Sequence, residues 1–310
     1  MKPPPKTKQR STPKRRPLRR LLLIVGGSYL AVAALVTVFQ RSLLYVPFRA
    51  AEITPADAGA LAPRTTSVTV EAEDGVTLHG WRVSPVGERR RTVLYCPGNA
   101  ANRKRRIPTL EILSEEGTEV FLFDYRGYGD NEGSPSEEAI STDMRRIWDW
   151  LIQEQEIPPD ESVVYGQSLG GCVAVKLVSD LASEDVQPAG LLLVSTFSSM
   201  VDAAKKRFGW LPVDWLLLDR YPSEDCIGKV CCPIMHIHGD SDRVVPIGLG
   251  RKLFEQVPKA SERGVKRQFI ELPGAGHNNI LQVIRGRYRE AVLLFLERAC
   301  PLPVPGRLAG

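Results

Sequence analysis

The run Gly166-Gln167-Ser168-Leu169-Gly170 sets a serine between glycines two residues away on either side. A nucleophilic serine on a sharp strand-to-helix turn needs small residues there, because side chains would strike neighbouring backbone. Gly171 adds room. A Gly-rich turn with an incidental serine is the plain alternative. The flanking pattern favours the nucleophile: a β-branched run at 162–165 precedes the turn and a helical run at 169–181 follows it.

Such a serine needs a base, and the chain has four histidines, His79, His236, His238 and His277. His277 follows the apolar run 268–272 in Gly274-Ala275-Gly276-His277-Asn278. A loop-borne imidazole there can lean over the end of a sheet, although a surface or capping histidine would also fit. The acid that orients it should come from His238-Gly239-Asp240-Ser241-Asp242. Asp240 and Asp242 both qualify, and Asp242, further into the loop, has the better reach. The chain order is then Ser168, Asp242, His277, as expected for a nucleophile elbow on a parallel sheet. The oxyanion donors should be the backbone N–H groups of Leu169 and of Asn99, in Pro97-Gly98-Asn99-Ala100, with Ala100 the second choice. His236 and His238 share a strand face with Asp240, the beginnings of a zinc set. A packing or network role suits them better, so neither a metal nor a cofactor is expected.

The elements that must carry these residues alternate. Short strands are predicted at 67–70, 77–83, 92–96, 120–124, 162–165, 190–194, 234–237 and 268–272. Helical runs are predicted from Ser136 to the Pro158-Pro159 break, at 169–181, at 247–257 and at 278–299. Leu281, Ile284, Tyr288, Val292 and Phe295 should face inward on the last of these. The alternation predicts an α/β fold: a mostly parallel sheet, helices on both faces, and an opening hairpin through Asp74-Gly75. This α/β domain should span 65–300, with 301–310 a loose Pro-rich tail.

Residues 21–39 carry no charge, and as a helix they would span roughly 28 Å, close to bilayer thickness. Residues 1–20 form a basic tail with nine Lys/Arg and no acid. Removing those nine cations from the net +5 leaves −4 for the remainder, so the basic excess gives no reason to expect nucleic-acid binding. The charge asymmetry predicts a cytoplasmic N-terminus and a catalytic domain across the bilayer. A leader cleaved near Ala31-Val32-Ala33, giving a secreted protein, is the rival; the apolar run continues past that point and favours an uncleaved signal anchor. Residues 40–64 are expected to be a juxtamembrane linker. At 43% hydrophobic and 25% charged, the whole chain has globular composition. Cys226, Cys231 and Cys232 cluster, but adjacent cysteines bond only with strain, and no disulfide is assigned.

Together the elbow at Ser168, the stretches 239–246 and 274–277, and Asp124-Tyr125-Arg126-Gly127-Tyr128-Gly129 resemble the α/β-hydrolase superfamily. Gln40-Arg41-Ser42-Leu43-Leu44-Tyr45-Val46-Pro47, His79-Gly80-Trp81 and Tyr221-Pro222-Ser223 are similar to its membrane-anchored "abhydrolase domain-containing" serine hydrolases. The likeness covers roughly 40–298 and implies an eight-stranded sheet that hydrolyses carboxylic esters or thioesters. It implies Ser168, Asp242 and His277 as the triad and Asn99 with Leu169 as oxyanion donors. Pro97 departs from the family, which usually has His before Gly-Asn. A carboxylate-nucleophile dehalogenase is disfavoured. A peptidase with the same triad, or a non-catalytic scaffold of the same fold, stays open. Residues 198–232 are long for a crossover and apolar, and Trp210, Leu211 and Trp215 could line an acyl pocket; a helix packed on the sheet fits them equally.

Overall fold

Strands buried on both faces need continuous apolar runs, and residues 93–96, 120–123 and 191–194 supply them. The computed structural model describes residues 16–115 and 117–301. The basic tail before residue 16 and the Pro-rich tail from 302 lie outside the described residues.

The chain divides between Gln40 and Arg41 into two compact units. The first is built on helix α1 (Arg16–Leu44), which runs on into the second unit. Its stretch Arg19–Leu44 is long and apolar enough to cross a membrane, and its most apolar 18 residues are almost entirely unburied. The helix outlasts the expected end at Phe39, because residues 40–44 contain no breaker.

The second unit contains β1 (Thr65–Glu71), β2 (Thr77–Val83), β3 (Arg91–Cys96), α2 (Ile107–Leu113), β4 (Thr118–Phe123), α3 (Glu137–Gln153) and β5 (Ser162–Gln167). It continues with α4 (Leu169–Ala182), β6 (Gly190–Val194), α5 (Met200–Phe208), α6 (Val213–Leu216) and α7 (Ser223–Cys226). Finally come β7 (Ile234–Gly239), α8 (Ile247–Glu255), β8 (Gln268–Leu272) and α9 (Ile280–Ala299). Among the described residues the strands form one eight-stranded sheet in the order β1-β2-β4-β3-β5-β6-β7-β8. The β1–β2 and β2–β4 pairs are antiparallel and the others parallel.

The two-residue period of the strands divides the core. On β3, Leu94 and Cys96 face a cluster with α3, α4 and α8. Val93 and Tyr95 face the other cluster, with α2 and α9. Ser136, where the helical run was expected to open, caps α3 by accepting from Ala139 N–H at 3.1 Å, and Glu137 and Glu138 lie in its first turn.

The linker reading of 40–64 does not survive. Tyr45 and Ile53 are buried, and a 3-10 helix, Pro55–Arg64, buries Ala58 and Leu61 against the sheet. The 3-10 spacing and the non-helical backbone at Gly59 broke the period that would have revealed it. All six cysteines are free.

Candidate active site

Ser168 sits between β5 and α4 with φ 54° and ψ −122°, a sparsely populated conformation for a residue with a Cβ. The elbow is held by exclusion. A Cβ on Gly170 would lie 2.1 Å from the Cys96 carbonyl oxygen and 2.4 Å from that of Pro97. One on Gly166 would lie 2.6 Å from the Gly170 carbonyl oxygen. No other residue fits at either position without moving backbone. Ser168 N–H donates to Val194 O at 2.8 Å, and Thr196 Oγ1 donates to Ser168 O at 2.8 Å, so the next strand fixes the turn.

The three loops converge. His277 Nε2 lies 3.0 Å from Ser168 Oγ, and His277 Nδ1 lies 2.7 Å from Asp242 Oδ2. Of the two acids in that loop, Asp242, the one with the better reach, faces the imidazole. Asp240 instead braces the loop that carries His277, its Oδ1 accepting from Gly274 N–H at 2.8 Å. The second oxygen of Asp242, Oδ1, accepts from the N–H groups of Val244 at 2.9 Å and Val245 at 2.8 Å. Burial pushes the Asp242 carboxyl up, but bonds from His238, His277 and the Val245 amide outweigh it. Its pKa falls well below the usual carboxylate range.

His236 and His238 are buried, and their ring nitrogens are engaged with each other at 3.4 Å. His238 Nε2 lies 2.9 Å from Val245 O, on the loop that carries Asp242. Burial holds His236 neutral, its pKa well below that of a free imidazole. The pair is a network behind the acid. Among the described residues no cluster of His, Cys, Asp and Glu has a metal-binding arrangement.

The loop after β3 lies against the serine: a Cβ on Gly98 would be 3.4 Å from Ser168 Cβ. The Asn99 side chain points away and binds the chain that leaves α1. Its Nδ2 donates to Leu44 O, and its Oδ1 accepts from Tyr128 Oη at 2.7 Å. Tyr128 Oη in turn accepts from Val46 N–H at 3.1 Å, and Val46 bridges to Ala100. Leu169, at the start of α4, follows Ser168 directly, where helix N–H groups are unused by the helix.

A cavity of about 690 Å³ opens beside His277, between residues 100–109 and the start of α9. Gln167, Ile107, Ile280 and Leu281 line it, with Lys104, Arg105 and Arg106. Trp210, Leu211 and Trp215 do not. Leu211 is buried elsewhere, and the two tryptophans are largely exposed, while α5 and α6 bury Val201 and Val213 instead. The acyl-pocket expectation for these three is corrected accordingly. Sequence reasoning passed over Arg106, whose Nη2 donates to the carbonyls of Gly98, at 2.8 Å, and Ala100. The signal was there: Arg103-Lys104-Arg105-Arg106 closely follows a strand end.

Residues 87–218 match the family described as serine aminopeptidase, S33. A protein of Mycobacterium tuberculosis is 35% identical over 288 residues, covering 91% of this chain and 97% of its own length. The lysophosphatidylserine lipase ABHD12 of Danio rerio is 31% identical over 295 residues, covering 82% of this chain and 76% of its own. An esterase of Pyrococcus furiosus has a similar fold, with TM-score 0.62 at 21% identity over 82% of this chain and 98% of that one. An α/β-hydrolase of Vibrio vulnificus gives TM-score 0.64 at 19% identity, covering 95% and 98%.

Proposed function

The chain belongs to the abhydrolase domain-containing enzymes of the α/β-hydrolase superfamily, and from that premise we propose a membrane-anchored serine hydrolase that cleaves monoacyl lipid esters with an anionic headgroup. The observation that carries the reading is the hydrogen-bonded relay Ser168–His277–Asp242, at 3.0 and 2.7 Å. In it, Ser168 Oγ attacks the ester carbonyl while His277 Nε2 takes its proton. Asp242 stabilises the imidazolium, and the N–H groups of Asn99 and Leu169 receive the oxyanion. The imidazolium then protonates the departing alkoxide. Water, deprotonated by the same imidazole, releases the carboxylic acid from Ser168.

The anionic substrate is argued from the cavity and from the ABHD12 relatives, which are lipases of an anionic lysophospholipid. Lys104, Arg105 and Arg106 line the cavity, and among the described residues no Asp or Glu lines it. The match to a serine aminopeptidase family supports a second reading, a peptidase with the same relay. Recognition of a free α-amine would call for a carboxylate where this cavity presents cations. Thioesters share the mechanism. The basic flank of α1 supports a cytoplasmic N-terminus with the hydrolytic domain on the opposite side.

A substrate panel tests this: lysophospholipids with anionic and zwitterionic headgroups, acyl thioesters, p-nitrophenyl esters and aminoacyl amides. Highest kcat/KM on an anionic lysophospholipid, abolished by Ser168→Ala, is expected. Preference for aminoacyl amides would replace the reading with the peptidase. Failure of the full chain to react with a serine-directed fluorophosphonate would replace it with a scaffold.

A further inference from the structure

The excursion between β6 and β7 leaves and rejoins the sheet at one place. Met200 N–H donates to Arg220 O, and Glu224 N–H to Ser198 O, both at 2.9 Å. Between those points Val201, Leu211 and Val213 are buried, but four larger apolar side chains are exposed. Trp215 is 88% exposed, Leu218 61%, Trp210 57% and Phe208 43%. Side chains of this size are ordinarily driven out of water, so their exposure together requires an explanation.

The surrounding charge is one-sided. Residues 205–220 contain Lys205, Lys206, Arg207 and Arg220 against Asp214 and Asp219. Asp214 is paired with Lys205 at 2.6 Å, and buried Asp219 with Arg41 at 3.0 Å. Tryptophan and leucine flanked by exposed cations is the composition of a segment at a bilayer interface, where indole rings sit at headgroup level and cations meet anionic lipid.

The Asp219 pair also locates the surface. Arg41 lies in the last turn of α1, and its Nε and Nη2 grip both oxygens of Asp219, the neighbour of Leu218. Tyr45 Oη meets Tyr221 Oη at 2.9 Å from the same direction. The segment that carries the exposed side chains is thus tied, through Asp219 and Tyr221, to Arg41 and Tyr45, which open the second unit just after the uncharged run 21–39.

We propose that residues 208–218 are a second membrane contact, a wedge in which Phe208, Trp210, Trp215 and Leu218 enter the headgroup layer of the leaflet from which α1 emerges. The occupant of this face is lipid. The inference rests on α1 being a membrane span and is independent of the chemistry at Ser168.

The test is quenching of tryptophan emission by acyl-chain-brominated lipid, using the full chain in vesicles of phosphatidylcholine and phosphatidylglycerol. The remaining tryptophans, Trp81, Trp148 and Trp150, are buried and serve as an internal baseline. Wild type and Ser168→Ala should be quenched equally. The double variant Trp210→Ser/Trp215→Ser should lose the quenching while floating with the vesicles and unfolding in detergent at an unchanged temperature. Lys206→Glu/Arg207→Glu, which keeps both indoles, should weaken quenching in the anionic vesicles. Flotation of wild type without quenching, or quenching that persists in the double variant, overturns the wedge. Failure of wild type to float overturns the span, and the wedge with it.

Discussion

β5 and β6 are neighbours in the sheet, yet the segments that leave their carboxyl ends are built in opposite ways. After β5 the chain turns within one residue and is walled by backbone: Gly166 and Gly170 have no space for a Cβ. After β6 it wanders from Met200 to Arg220 and turns its largest apolar side chains outward. The elbow is specified by what cannot be there; the excursion is distinguished by what it leaves exposed. Steric exclusion leaves a signature in residue type, whereas composition does not say whether an apolar side chain faces its own core, a substrate or a lipid.

The most severe way to break the comparison is at the elbow. Ser168→Ala should abolish fluorophosphonate labelling and lower kcat by about 10⁶, the scale expected when a triad nucleophile is removed. Trp215→Ala should leave labelling in detergent intact. If both behaved alike, the contrast between the two segments would be false.

Asp242→Asn comes next, with kcat expected to fall about 10⁴-fold as the imidazole loses its tautomer and its charge partner. The substitution also reads stability. Asp242 has its folded pKa held below the unfolded one, so its contribution is full above about pH 4 and is lost as pH falls toward the folded value. The difference in urea midpoint between wild type and Asp242→Asn should therefore shrink from pH 6 to pH 3. A difference that stayed constant would show that the carboxylate does not contribute through its charge.

Gly170→Ala sharpens the steric half. A methyl 2.1 Å from one carbonyl oxygen and 2.4 Å from another forces backbone apart, at a cost of about 3 kcal/mol. Trp215→Ala, at a solvent-facing position, should change stability in detergent by no more than about 0.5 kcal/mol. Thermal unfolding of the two variants side by side measures the gap.

The strands and the long helices are legible in the sequence because both faces of the sheet are buried, so period and run length carry the pattern. Ser168 and His277 are legible because glycines mark sharp turns at strand ends. Asp242 is ranked above Asp240 in the sequence only by its reach along the loop; the loop's path turns one to the imidazole and the other to Gly274 N–H. The segment 40–64 misleads because 3-10 spacing and alanines give no amphipathic period, although Ala58 and Leu61 are core residues. Trp210 and Trp215 suggest a pocket by composition alone, which carries no direction.

The smallest effect concerns a part of the elbow's surroundings that no motif announces. Tyr128 Oη donates to Asn99 Oδ1 and accepts from Val46 N–H, joining the loop beside Ser168 to the chain that has just left α1. Tyr128→Phe removes that one oxygen and keeps the ring, which packs edge-on against Tyr125. A neutral hydrogen bond contributes about 1 kcal/mol, and Val46 N–H would be left without its acceptor. If Asn99 supplies an oxyanion donor, the loss should appear in the transition state: kcat down roughly 3–10-fold, KM little changed. The rate of fluorophosphonate labelling, which also develops charge on oxygen, should fall in parallel. A rise in KM at constant kcat would instead place Tyr128 in substrate binding, and the loop at Asn99 would then owe its shape to the elbow alone.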